Sequence, residues 1–119
     1  MDRRRYPRVA IRNLISYLSI DENGKVTDQS IGEALNISQS GLFLETTRII
    51  SSEYISLMSI DPENKLIEIN GKIAYSKNIG SGKFGAGISF QAPENKKIQF
   101  VINLVKVFSR RKNLVYAAM

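Results

Sequence analysis

The sequence predicts a mainly β fold: a six-stranded antiparallel β-barrel followed by one C-terminal α-helix. Three observations predict it. Apolar residues alternate with polar ones through most of the chain, as they do along half-buried strands. Clusters of Asp, Asn, Gly and Pro punctuate those runs at hairpin spacing. After Pro93 the apolar period switches from two to that of a helix.

Each element can be read in order. Val9 to Ile20 is rich in β-branched and aliphatic residues, with Val9, Ile11, Ile15 and Tyr17 on one parity and Asn13 interrupting that face. Asp21-Glu22-Asn23-Gly24 is a turn signal, with Asn-Gly its strongest part. Ile31, Leu35 and Ile37 mark a second strand, and Leu42 to Glu45 a third. Tyr54 to Ile60 reads as a fourth, ended by Asp61-Pro62-Glu63-Asn64. Leu66 to Ser76 is a long fifth strand, with Ile67, Ile69, Ile73 and Tyr75 expected on one side. Asn78 to Lys83 is a polar turn. Phe84, Ala86, Ile88 and Phe90 then alternate against Gly85, Gly87 and Ser89. Ile98, Val101, Ile102, Val105 and Phe108 follow helical spacing, so a helix over about 94–109 is expected to cover a barrel opening. Pro93 suits a first helical position and Glu94 the positive end of the helix dipole.

Composition bounds the function. The chain has 119 residues, 43% of them hydrophobic, enough for one domain with one core. It has no Cys and no His. That removes thiolate nucleophiles, imidazole bases and typical zinc sites. The acidic residues Asp21, Glu22, Asp61, Glu63 and Glu94 fall in turns and at strand ends, so the expectation is a binding domain and not an enzyme. Neither a signal peptide nor a membrane span is legible, which leads us to expect a cytoplasmic location. The net charge of +6 favours an anionic partner. Arg3, Arg4, Arg5 and Arg8 crowd the first eight residues, and Arg110, Arg111 and Lys112 cluster near the end.

Some motif matches fail on context. Gly80-Ser81-Gly82-Lys83-Phe84-Gly85 satisfies G-x-G-x-x-G, but that pattern needs a following helix to face a pyrophosphate, and here a strand follows. A phosphate loop fails as well, because position 77 is Lys and Phe84 stands where Ser or Thr would hold magnesium.

Two stretches remain. In Arg4-Arg5-Tyr6-Pro7-Arg8, Pro7 restricts its own backbone and that of Tyr6. An extended segment puts Arg4 and Arg8 on one side, roughly 13 Å apart. Each guanidinium offers a planar fork to phosphate or to guanine O6 and N7, and can stack on a base. The plain alternative is a solubilising tail. Asn36-Ile37-Ser38-Gln39-Ser40-Gly41 reads either as a turn or as short polar side chains beside a Gly that lets a ligand or a backbone approach closely.

R-x-x-x-R followed by N-x-S-x-x-G resembles the PilZ domain family. Arg4-Arg5-Tyr6-Pro7-Arg8-Val9 is similar to its opening motif. Asn36 to Leu44 is similar to its second, with Asn in place of the usual Asp. Gly71-Lys72-Ile73-Ala74-Tyr75 and Gly85-Ala86-Gly87-Ile88-Ser89-Phe90 fit the later layout. The resemblance implies that residues 1–8 form an arginine arm and 9–119 a PilZ-like barrel with its helix. It implies cyclic di-GMP as ligand, with no other cofactor and no metal. Arg4 and Arg8 would meet guanine edges and phosphates, with Arg5 a bystander or a secondary phosphate contact. Asn36, Ser38 and Gly41 would meet a guanine and the ligand backbone, and Gly87 joins that set. Arg3, just before the motif, would stack on a second ligand and favour an intercalated dimer, or else remain a surface side chain. The arm would order around the ligand and present a new surface to a downstream protein. Two alternatives stand beside this reading. One is a basic barrel binding single-stranded nucleic acid on Tyr6, Tyr17 or Phe43. The other is a PilZ-like adaptor that binds protein alone, through the terminal helix and Tyr54 to Ile60.

Overall fold

The computed structural model describes residues 8–118, with side chains described through residue 110. Strands β1 (Val9–Ile20), β2 (Val26–Ser38), β3 (Gly41–Thr46), β4 (Tyr54–Ile60), β5 (Leu66–Gly80) and β6 (Lys83–Phe90) precede helix α1 (Glu94–Ala118). The strands close a barrel in the order β1-β2-β3-β6-β5-β4, and every neighbouring pair is antiparallel. Closure gives every strand a neighbour on both sides, although β1 meets β4 only from Ser16 to Ile20 and β5 meets β6 only from Gly71 onward.

Local chemistry sets the turns. The β1–β2 and β4–β5 connections repeat one device: an aspartate side chain accepts from backbone N–H groups two and four residues on. Asp21 Oδ1 accepts from Asn23 and Lys25, both at 2.9 Å. Asp61 Oδ1 accepts from Glu63 at 2.8 Å and Lys65 at 2.9 Å. Each turn then needs a residue at positive φ, supplied by Gly24 at 80° and Asn64 at 65°. The Gly80–Gly82 segment is a hairpin turn, with Gly80 pairing Lys83 and β6 following directly. The dinucleotide pattern is therefore a turn, as its context indicates.

The core fills the barrel. β1 supplies Ile11, Ile15 and Tyr17; β2 Ala34 and Ile37; β3 Leu42 and Leu44; β4 Ile55 and Leu57; β5 Ile69; β6 Ala86, Ile88 and Phe90. Each buried aliphatic side chain of this kind contributes about 1.5–3 kcal/mol by leaving water. The helix closes one opening with Phe100 and Leu104. Phe100 meets Phe90 edge-on, with ring centroids 5.7 Å apart.

Several expectations need correction. The inward face of the helix is rotated from the expected stripe: Val101, Val105 and Phe108 pack half-buried against the core as expected, but Phe100 and Leu104 are the buried residues and Ile98 and Ile102 remain exposed. It also runs to Ala118 instead of ending near 109, because nothing from Ser109 onward is a Gly or Pro that would stop it. Asn13 does not interrupt the inner face. It is buried, and its Nδ2 donates to the Leu104 carbonyl at 3.0 Å, joining barrel to helix. A buried amide is tolerated when it is hydrogen-bonded in this way. Tyr17 is 1% exposed and cannot be a stacking platform.

Strand parity also breaks at two places. Between Ala34 and Asn36 the β2–β3 register slips, leaving Leu35 without a β3 partner. Ile31 therefore faces solvent while Ile37, on the same parity, is buried. Between Ile73 and Tyr75 the β5–β6 register slips in the same way, so Tyr75 lies outside the barrel and not beside Ile69. An extra residue in one strand reverses the facing of everything beyond it.

Candidate functional site

The two bulges converge on one row. Across the outside of the barrel, Ala10 on β1 pairs with Asn36 on β2, Asn36 with Phe43 on β3, Phe43 with Gly87 on β6, and Gly87 with Tyr75 on β5. Were Leu35 regularly paired, Asn36 would share the inward face of Ala34. Were Ala74 regularly paired, Tyr75 would share the inward face of Ile73. Each bulge thus moves one side chain onto the same outer row.

Arg8 stands at one end. It immediately precedes β1, and its Nη1 donates to Asn36 Oδ1 at 2.6 Å. The described part of the first motif therefore touches the second. Arg3, Arg4 and Arg5, and most of the expected arm, lie outside the described residues. Ser38 is buried where β2 ends, and its hydroxyl serves the two-residue Gln39-Ser40 turn. Its Oγ lies 3.0 Å from Ser40 Oγ and accepts from the Ser40 N–H at 3.3 Å. The Ser40 carbonyl in turn accepts from the Phe90 N–H at 2.9 Å. Gly41 begins β3, and a Cβ there would run into the Ile88 carbonyl. The close approach that Gly41 permits is thus one of strand backbone to strand backbone.

Gly87 and Gly85 form a floor. A Cβ on Gly87 would strike the Tyr75 ring, and one on Gly85 would strike the Phe43 ring. Both rings lie down over the β6 backbone because these residues have no side chain. Their centroids are 6.4 Å apart, tilted 36°. Lys77 on β5 reaches over both, its Nζ 5.7 Å from the Phe43 centroid and 5.8 Å from that of Tyr75. Tyr75 and Lys77 were not expected at the site. The available signal was the bare Gly85-x-Gly87 face of a strand, which calls for something to cover it.

The charges on this face are segregated. One row away, Glu33 and Glu45 pair across β2 and β3. Arg12 neutralises Glu33 at 2.7 Å, and Lys83 neutralises Glu45 at 2.9 Å. Arg8 and Lys77, at the two ends of the site row, have no carboxylate partner among the described residues. The row therefore offers a guanidinium, an amide, an aromatic surface and an ammonium in sequence. Such a set suits a flat, anionic ligand.

Comparisons with known proteins agree with this geometry. A family model described as PilZ domain matches residues 2–106. Among solved structures, the chain is similar to the Bacillus subtilis inhibitor of motility MotI/DgrA. The identity is 18% and the TM-score 0.64, over 95% of this chain and 53% of that one. It is similar to MrkH of K. pneumonia in complex with c-di-GMP, at 18% identity and TM-score 0.63, over 93% of this chain and 56% of that one. It is also similar to the PilZ domain of YcgR from Escherichia coli with c-di-GMP. There the identity is 12% and the TM-score 0.62, over 94% of this chain and 98% of that one. The chain thus spans about half the length of the first two. No curated protein matches. No helix among the described residues is long and apolar enough to cross a membrane. With a family model covering most of its length and a barrel of matching fold, the chain belongs to the PilZ domain family.

Proposed function

We propose that this domain is a cyclic di-GMP receptor and not an enzyme, with its ligand held on the outer row that starts at Arg8 and Asn36. The Arg8–Asn36 contact carries the reading, because it joins two motifs separated by 28 positions in sequence. Family membership and the c-di-GMP complexes of MrkH and YcgR support it. Arg4 and Arg8 meet guanine edges and phosphates. Asn36 contributes its amide and Gly87 the bare floor of the row, while Gly41 holds β3 close against β6. Ser38 holds the turn that presents them, and Arg5 is a secondary phosphate contact. Like-charge repulsion among the four arginines opposes a folded arm until a ligand with two phosphates neutralises it; the arm then closes. Arg3 stacks on a second ligand and favours an intercalated pair. The closed arm is the surface read by a downstream protein in the cytoplasm.

Calorimetric titration with cyclic di-GMP, beside GTP and GMP, tests this reading. The expected result is binding of cyclic di-GMP alone, with two ligands per chain. Arg4→Ala and Arg8→Ala should each weaken it by about 2–4 kcal/mol. Parent-like binding by both variants would remove the site assignment, and one ligand per chain would remove the role of Arg3.

A further inference from the structure

The far end of the outer row holds a feature that ring packing alone does not explain. Phe43 and Tyr75 cover Gly85 and Gly87, which accounts for the two rings. It does not account for a cation over them, since a Met or Leu stem at position 77 would shield the rings as well. Tyr75 is 49% exposed, so its ring remains reachable. The lysines on either side are committed elsewhere: Lys72 lies 3.4 Å from Glu53 and Lys83 2.9 Å from Glu45. Among the described residues Lys77 rests only on π faces, a weak interaction at an exposed site. A contact that weak is easily exchanged.

We propose that Lys77 is a ligand-contacting residue, and that Phe43 and Tyr75 form a base-binding platform which its ammonium covers until ligand arrives. A planar base takes the place of the ammonium over the rings, and the ammonium moves onto the ligand's phosphodiester. The geometry suits this exchange. Asn36 and Tyr75 are separated by three interstrand steps, about 14 Å along the row. A nucleotide anchored at Arg8 and Asn36 can therefore extend over β3 and β6 towards β5. The inference rests on the reading of this row as the ligand site, and it adds Tyr75 and Lys77, which lie in neither sequence motif.

Calorimetric titration of the full chain with cyclic di-GMP, at low and at high salt, tests it with three variants. Lys77→Met keeps the apolar stem and removes the charge. It should bind about tenfold more weakly at low salt, the effect of losing one charge-assisted contact, and the deficit should shrink at high salt. Lys77→Arg should stay within about threefold of the parent, since it keeps both the charge and the stacking. Arg8→Ala reports on the site itself. If Lys77→Met binds like the parent at low salt while Arg8→Ala is weakened, the role of Lys77 is overturned and the site reading stands. If the parent itself does not bind, the site reading falls and takes this inference with it. Urea midpoints of the three variants matching the parent keep a binding loss from being mistaken for unfolding.

Discussion

Two outer faces of the same barrel carry exposed apolar side chains, and they are built differently. On the β2-β3-β6-β5 face, register slips at Leu35 and Ala74 place Asn36 and Tyr75 on one row, above two glycines and between two cations. On the β2-β1-β4-β5 face, Ile31, Ser16 and Met58 follow one another across regular pairing, flanked by Leu14, Ile60 and Leu66. Those residues line a shallow groove of about 310 Å³. The β1–β4 and β4–β5 ladders show no register slip. The difference teaches that exposure of apolar side chains is common and uninformative by itself. What distinguishes the first face is that backbone irregularity, missing side chains and cations with no carboxylate partner among the described residues coincide there.

Substitutions can break or sharpen this contrast. The largest effect is expected at Gly41, where the site face depends on close strand packing. Gly41→Val should destabilise the fold by about 3 kcal/mol or more, because the new side chain meets the Ile88 carbonyl and not a flexible group. Urea unfolding measures it, and a loss under 1 kcal/mol would mean that β3 and β6 can separate cheaply. Next comes Gly87→Val, which must displace the Tyr75 ring. A loss of about 1–3 kcal/mol is expected. Its counterpart on the other face, Ser16→Val, should change stability by no more than about 0.5 kcal/mol. Equal effects from the two would erase the contrast.

Asn13→Ala removes the hydrogen bond to the Leu104 carbonyl and should lower stability by about 1–2 kcal/mol. Amide exchange of α1 should accelerate with it, and unchanged exchange would show that the helix docks through Phe100 and Leu104 alone. The smallest effects belong to the regular face. Leu14→Ser and Ile31→Thr should each stay within about 0.5 kcal/mol of the parent and leave cyclic di-GMP affinity unchanged. A binding loss in either would move the ligand site away from the Asn36–Tyr75 row.

Much of the fold was legible. Asn23-Gly24, Asp61 to Asn64 and Gly80 to Gly82 mark their turns through local chemistry that needs no distant partner. The alternation of Ala86, Ile88 and Phe90 places β6 correctly, because no bulge interrupts that stretch. The motif residues Arg8 and Asn36 were legible as a pair from their spacing. Legibility failed where one inserted residue changed the facing of those beyond it. Ile31 and Tyr75 both carry inward parity in the sequence, and both point out. The helix face failed for a related reason. Ile98, Val101, Ile102 and Val105 fit a helical stripe, but Phe100 and Leu104 fit one equally well. Only the shape of the barrel mouth selects between them.

The arginine-rich start, the N-x-S-x-x-G stretch, the strand and turn order and the terminal helix are all determined by the sequence, since each rests on spacing within a few residues. The contact between Arg8 and Asn36, the platform of Phe43 and Tyr75 on two glycines, and the stray charge of Lys77 were decided by tertiary structure. These groups are distant in sequence, and they meet only because closure of the barrel and two single-residue bulges bring them to one outer row.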